Sequence, residues 1–146
     1  MVCEQIVTVT EEERKNKRVV SVPFEWFECE KKRIAKTAED GTELGIAIDA
    51  VLKDKDILAV TKDAIYQVKV LPAHLVCITV SKMEEMGRLC FELGNRHLSL
   101  EIEKDRVLVP YDEPTYTYLK HLGFQVTEIT APFCNYIVCK AHGHHH

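Results

Sequence analysis

Residues 75–97 read LVCITVSKMEEMGRLCFELGNRH, and inside this stretch the apolar period changes. Residues 75–80 form an apolar, β-branched run of the length of a buried strand. From there on, Met83, Met86, Cys90 and Leu93 fall three, four and three residues apart, which places them on one face of a helix. Ser81, with Glu84 three residues later, has the pattern of a capping box, and Gly94-Asn95 is a stop signal. The chain downstream completes an α+β unit. Residues 98–102 and 107–109 alternate around the turn Glu103-Lys104-Asp105 and predict a hairpin. Asp112 with Pro114 opens a second helix that turns Tyr116, Leu119 and Leu122 inward and ends at Gly123, and residues 124–130 form the last strand. The order β-α-β-β-α-β predicts a ferredoxin-like domain.

Upstream the period is two throughout. Leu44, Ile46 and Ile48 alternate with Gly45, Ala47 and Asp49, the signature of a half-buried strand. Asp40-Gly41 supplies a tight turn between strands at 33–38 and 42–50, because glycine takes positive φ without steric cost. Further strands are expected at 6–9, 19–22, 57–61 and 65–70, with no helix, so the first half reads as a small all-β sandwich or barrel. Leu71-Pro72 breaks the pattern, since proline cannot donate to a sheet ladder. The expected organisation is therefore two small domains and a tail: all-β at 1–72, ferredoxin-like α+β at 73–133, and a flexible histidine-containing tail at 134–146.

Composition narrows the function. The 146 residues are 46% hydrophobic and 29% charged, which is enough apolar material for a core. The net charge of -4, with acidic and basic residues interspersed, gives no electrostatic footprint for nucleic acid. No apolar run approaches the ~18 residues that a membrane helix needs, and residues 1–5 do not open like a signal peptide, so a cytoplasmic protein is expected. The six cysteines are scattered and are expected to be free thiols. Cys77 and Cys90 read as packing residues, and Cys134 with Cys139 as a weak pair of soft donors.

The histidines carry the chemistry. Gly94-Asn95-Arg96-His97 and His142-Gly143-His144-His145-His146 together hold five of the seven, and neutral imidazole is a good ligand for nickel, copper and zinc. The terminal run is interrupted by Gly143 and is shorter than a purification tag, so it is read as native. A single internal histidine with a histidine tail suits a carrier. A catalytic zinc site would instead need three fixed ligands and a placed base, and no H-E-x-x-H or C-x-x-C motif is present. Asn95 and Arg96 are candidates for orienting His97, since an arginine stays protonated and cannot ligate. His74 and His121 are read as ordinary surface histidines. Two other classes remain open: a small metal-dependent hydrolase, with Glu101 and Glu103 as the nearest candidate bases, and a peptide-binding module whose metal binding is adventitious.

Met83-Glu84-Glu85-Met86-Gly87, Phe91-Glu92-Leu93-Gly94-Asn95-Arg96-His97, Val109-Pro110-Tyr111-Asp112 and the histidine tail, in this order and spacing, resemble the UreE family of urease accessory proteins. The resemblance implies a peptide-binding-chaperone-like first domain, a ferredoxin-like metal-binding second domain, and a homodimeric, non-enzymatic nickel metallochaperone. Its implied partners are the urease apoprotein and the urease accessory complex with its GTPase, with no nucleic acid or membrane. The implied metal residues are His97, paired across a two-fold axis, and His142, His144, His145 and His146, with Ni2+ as the ion and Zn2+ or Cu2+ able to substitute. Tyr111 and Glu113 stand where some relatives carry further histidines, and Ser99 where many carry proline. The tail is also short, which implies few ions per dimer rather than bulk storage.

Overall fold

The computed structural model of the protein describes residues 1–138. The chain is mixed α/β and divides into two compact units, Met1–Leu71 and Pro72–His146. The first runs β1 (Val2–Cys3), α1 (Glu11–Asn16), β2 (Arg18–Phe24), a 3-10 turn at Trp26–Glu30, β3 (Arg33–Thr37), β4 (Glu43–Ala47), β5 (Ile57–Val60) and β6 (Ala64–Val70). Two three-stranded sheets result, β1-β4-β3 and β2-β6-β5, in which β1 is parallel to β4 and β2 is parallel to β6. Alternation sets the buried faces: Val20, Val22 and Phe24 on β2, and Leu44 and Ile46 on β4, are all buried.

Two expectations for this unit need correction. The strand expected at 6–9 is reduced to one bridge, Val7 to Ile57, because Thr10 opens a helix three residues later. That helix, α1, was not anticipated. It is polar on every side and buries nothing, so hydrophobic periodicity could not reveal it. Its sequence cue is the capping box: the Thr10 hydroxyl accepts from the Glu13 amide at 3.1 Å, and the Glu13 carboxylate accepts from the Thr10 amide at 3.3 Å.

The β3–β4 hairpin turns at Gly41, whose φ of 90° suits glycine. Asp40 locks it, accepting from the Thr42 amide at 3.0 Å, the Tyr66 hydroxyl at 2.9 Å and Arg18 at 3.1 Å. The Thr42 amide first, and then the hydroxyls and the guanidinium, bring the Asp40 carboxyl from 3.8 down to about 2. A depressed carboxyl contributes stability that is complete above its unfolded pKa and lost as pH falls through its folded value. In urea denaturation, wild type should exceed Asp40→Asn at about pH 5 and lose that lead by about pH 2. A lead of constant size across this range would refute the network.

The second unit continues with β7 (Pro72–Thr79), α2 (Met83–Asn95), β8 (Glu101–Ile102), β9 (Arg106–Pro110), α3 (Glu113–His121) and β10 (Gln125–Pro132). Its sheet has the order β10-β7-β9-β8, all antiparallel. Val76, Ile78, Val80, Val107 and Val109 of the sheet form one core with Leu89 and Leu93 of α2 and Leu119 of α3. β7 begins at Pro72, earlier than expected, because its first residue faces Pro132 and needs no amide there.

Several local expectations shift. The inward face of α2 carries Met86, Leu89, Cys90 and Leu93, whereas Met83 is 88% exposed in the first turn. Lys82, not Ser81, is the N-cap residue, and the Ser81 amide donates instead to the Glu85 carboxylate at 2.8 Å. The strand expected at 98–102 is shortened to Glu101–Ile102, since the helix end occupies the residues before it. Asp112 does cap α3, accepting from the Thr115 amide at 3.1 Å and the Thr115 hydroxyl at 2.6 Å.

The chain after β10 does not leave the fold at 134. Phe133 is 1% exposed and stacks on Tyr136 at 4.6 Å. Ile137 bridges Leu100 in antiparallel sense. Burying an aromatic ring and satisfying backbone groups outweighs the freedom expected of an extension after proline.

Candidate metal centre

Helix α2 places His97. Leu93 is the last fully buried residue of its apolar face, and the helix ends two residues later, at Asn95. The His97 amide donates to the Gly94 carbonyl at 3.0 Å, and the Leu98 amide reaches back to the Leu93 carbonyl at 3.4 Å. This pair of bonds is the Schellman ending of a helix, and its left-handed position is usually held by glycine. Here the position is His97, with φ of 57°. Gly94, expected as the stop, lies inside the helix. An L side chain in this conformation costs about 1–2 kcal/mol. The imidazole is exposed, on a backbone fixed by hydrogen bonds on both sides.

Arg96, next to it, reaches across to α3. Its Nε donates to the Thr115 hydroxyl at 3.2 Å, its guanidinium lies 5.2 Å from the Tyr118 ring centroid, and it stands 4.0 Å from the Asp112 carboxylate. The Tyr118 hydroxyl in turn donates to Glu92 of α2 at 2.7 Å, and this bond raises the phenol's pKa. The end of α2 is thus tied to the start of α3, so that His97 projects from a braced corner. Thr115 was missed in the sequence. It is a fully buried polar residue whose cue is its place in the cap, three residues after Asp112. Asn95 is exposed on the last turn of α2.

The remaining expected donors separate. His142, His144, His145 and His146 lie outside the described residues, as does Cys139. Cys134 is half-buried, and its amide donates to the Glu101 carboxylate at 3.0 Å. Burial pushes the Cys90 and Cys3 thiols up, which disfavours thiolate. His74 stacks on Tyr111 with centroids 4.2 Å apart and meets Glu128 at 2.8 Å, and His121 ends α3. The two carboxylates considered as bases already have partners: Glu103 takes both contacts from Arg106 Nε, at 3.0 and 2.9 Å, and Glu101 holds the Cys134 amide. Among the described residues, no three His, Cys, Asp or Glu side chains converge as metal ligands. No helix among them is long and apolar enough to cross a membrane.

The chain is similar to known proteins. The family model described as UreE urease accessory protein, C-terminal domain, matches residues 73–146. A urease accessory protein UreE from Bifidobacterium longum subsp. infantis is 54% identical over 123 residues, covering 84% of this chain and 56% of that protein. One from Actinobacillus pleuropneumoniae is 30% identical over 112 residues, with coverage of 75% and 60%. The chain thus spans under two thirds of these two relatives. One from Acetivibrio thermocellus is 31% identical over 131 residues, with 86% of each chain covered.

Proposed function

The chain belongs to the UreE urease accessory protein family, and from that membership we propose that it is a nickel carrier for urease metallocentre assembly. The family is one of accessory proteins, not enzymes. His97 is the internal ligand, contributed by both protomers of a homodimer, and His142, His144, His145 and His146 complete the coordination. The apoprotein of urease and the accessory complex with its GTPase receive the ion in the cytoplasm. The second unit is ferredoxin-like in this reading, on the strength of its β-α-β-β-α-β order and its sheet order β10-β7-β9-β8. The first unit is the peptide-binding-chaperone-like domain.

The observation that carries this proposal is His97 itself, an exposed imidazole in a backbone conformation that favours glycine, on a braced helix end. Strain of this kind persists where the surrounding structure over-determines it, and it clusters at functional sites. One imidazole holds an ion poorly, but an isologous interface would repeat it across the two-fold axis, and tethered tail histidines would raise the local ligand concentration. Nickel is the cargo; zinc and copper should also bind, since copper exceeds nickel at the same ligands in the usual order.

Calorimetric nickel titration, with solution mass measured in parallel, tests the assignment. Truncation after Ala141 should leave a dimer that still holds nickel through His97, with affinity lower by on the order of a hundredfold. Loss of all binding on truncation would remove His97 as the anchor, and a protein monomeric with nickel bound would remove the pair.

A further inference from the structure

Thr115 is a polar side chain that the first turn of α3 buries completely, and its hydroxyl is used both as donor and as acceptor. It donates to Asp112 Oδ2 at 2.6 Å and accepts from Arg96 Nε at 3.2 Å. One buried hydroxyl thereby joins the cap of α3 to the residue that precedes His97, and burial keeps water from taking its place. The Arg96 guanidinium also lies 5.2 Å from the Tyr118 ring centroid, and the Tyr118 hydroxyl donates to Glu92, one turn before Arg96. The direct approach of Arg96 to Asp112 is only 4.0 Å, and that carboxylate is 48% exposed, so the ion pair by itself is weak. His97 follows at φ of 57°, a conformation that a side chain with a Cβ escapes if the helix end can unwind. The bonds from the His97 and Leu98 amides hold that end within its own helix. Only the Arg96 side chain, through Thr115 and Tyr118, ties it to a second one among the contacts described above.

We propose that Thr115 is a positioning residue for nickel binding: its hydroxyl pins Arg96 to α3, and so keeps His97 in the strained conformation from which the imidazole is presented. The inference rests on the assignment of His97 as the internal nickel ligand. Thr115 touches no ion and acts through Arg96. A ligand already held in place gives up less freedom on binding than one on a fraying helix end, so the hydroxyl contributes to affinity without contacting the metal.

Nickel titration of the full chain carrying Thr115→Val or Thr115→Ser, each alone and together with His97→Gly, tests this role. Valine keeps the shape and loses the hydroxyl; serine keeps the hydroxyl. Thr115→Val should weaken nickel binding by on the order of tenfold, and Thr115→Ser should restore the wild-type value. Hydrogen exchange at the His97 and Leu98 amides should quicken in the valine variant alone. With His97→Gly present, Thr115→Val should cost nothing more in nickel affinity, because the ligand that it positions is gone. Equal losses with and without His97 would mean a purely structural role and overturn the proposal. So would a serine variant as weak as valine, which would place the effect in packing rather than in the bond, or a valine variant with full affinity. Arg96→Lys, which keeps the charge but has no Nε to offer the hydroxyl, should show the same tenfold loss, and supplies the test at a less buried position if Thr115→Val fails to fold. Full affinity in the lysine variant would likewise overturn the role. If His97→Gly alone leaves the tight site intact, the assignment of His97 falls and this inference with it; if that site is lost while Thr115→Val binds as wild type, the assignment stands and only the positioning role falls.

Discussion

Replacing His97 by glycine should remove the tight nickel site while leaving the fold as stable as before or more so. The direction of the stability change comes from the backbone. With φ at 57°, His97 occupies the left-handed position of a helix ending in which glycine lacks the Cβ clash. Relief of that clash, less the additional chain entropy of glycine, should raise unfolding stability by roughly 0.5–1 kcal/mol. The binding change follows from the proposed pairing. Each substitution deletes two ligands per dimer, so affinity should fall by more than about 100-fold, beyond what loss of a supporting group usually costs. Urea denaturation and nickel calorimetry on the same preparation read both quantities. A glycine variant that keeps the tight site would end the assignment of His97. One that loses stability by 1 kcal/mol or more would mean that the ring contributes packing sufficient to offset the strain. Alanine is the weaker test, because it keeps the Cβ in the disfavoured conformation.

Leu93→Ala should be the most damaging single truncation near the site, at about 2–5 kcal/mol. The side chain is fully buried in the core formed by α2, α3 and the sheet. Its carbonyl also accepts from the Arg96 and Leu98 amides, so the residue joins core packing to the helix ending that presents His97. Against a typical stability of about 5–15 kcal/mol, such a loss is large. The urea midpoint should drop with little change in slope. Met83→Ala, on the same helix but 88% exposed, should stay within about 0.5 kcal/mol. A loss at Leu93 no larger than that at Met83 would contradict the docking of α2.

These two residues also show how far the sequence could be read. The three-four-three spacing locates α2 correctly but counts Met83 into its apolar face, because spacing does not reveal that the first turn is left exposed. Gly94-Asn95 suggested the helix end from composition. The actual left-handed residue is His97, where glycine is the usual occupant, and it holds its conformation because hydrogen bonds on either side impose it. Alternation located β2 and β4 well, since each buries alternate residues, whereas α1 buries nothing and left only the Thr10–Glu13 capping pattern as a trace. Residues 134–138 read as free chain in the sequence because Pro132 normally ends an element. On an edge strand the missing amide faces no partner, so the usual meaning of proline does not apply there. The GNRH motif pointed to His97 directly; the bracing by Arg96, Thr115 and Tyr118 was hidden, because it joins residues from two helices.

The parallel pairing of β2 with β6 and of β1 with β4 has a consequence for how the protein is made. Arg18–Phe24 can find its partner only after Ala64–Val70 has left the ribosome, and Val2–Cys3 must wait for Gly45 and Ile46. At about 5–20 residues per second, the amino-terminal strands spend a few seconds as unpaired nascent chain, with Val20, Val22 and Phe24 still wetted. The β3–β4 hairpin has no such delay, since its strands are joined by a short turn. Local pairing should therefore let it form first during synthesis, with the earlier residues folding back onto it later, an order that pulsed hydrogen exchange on stalled nascent chains would check.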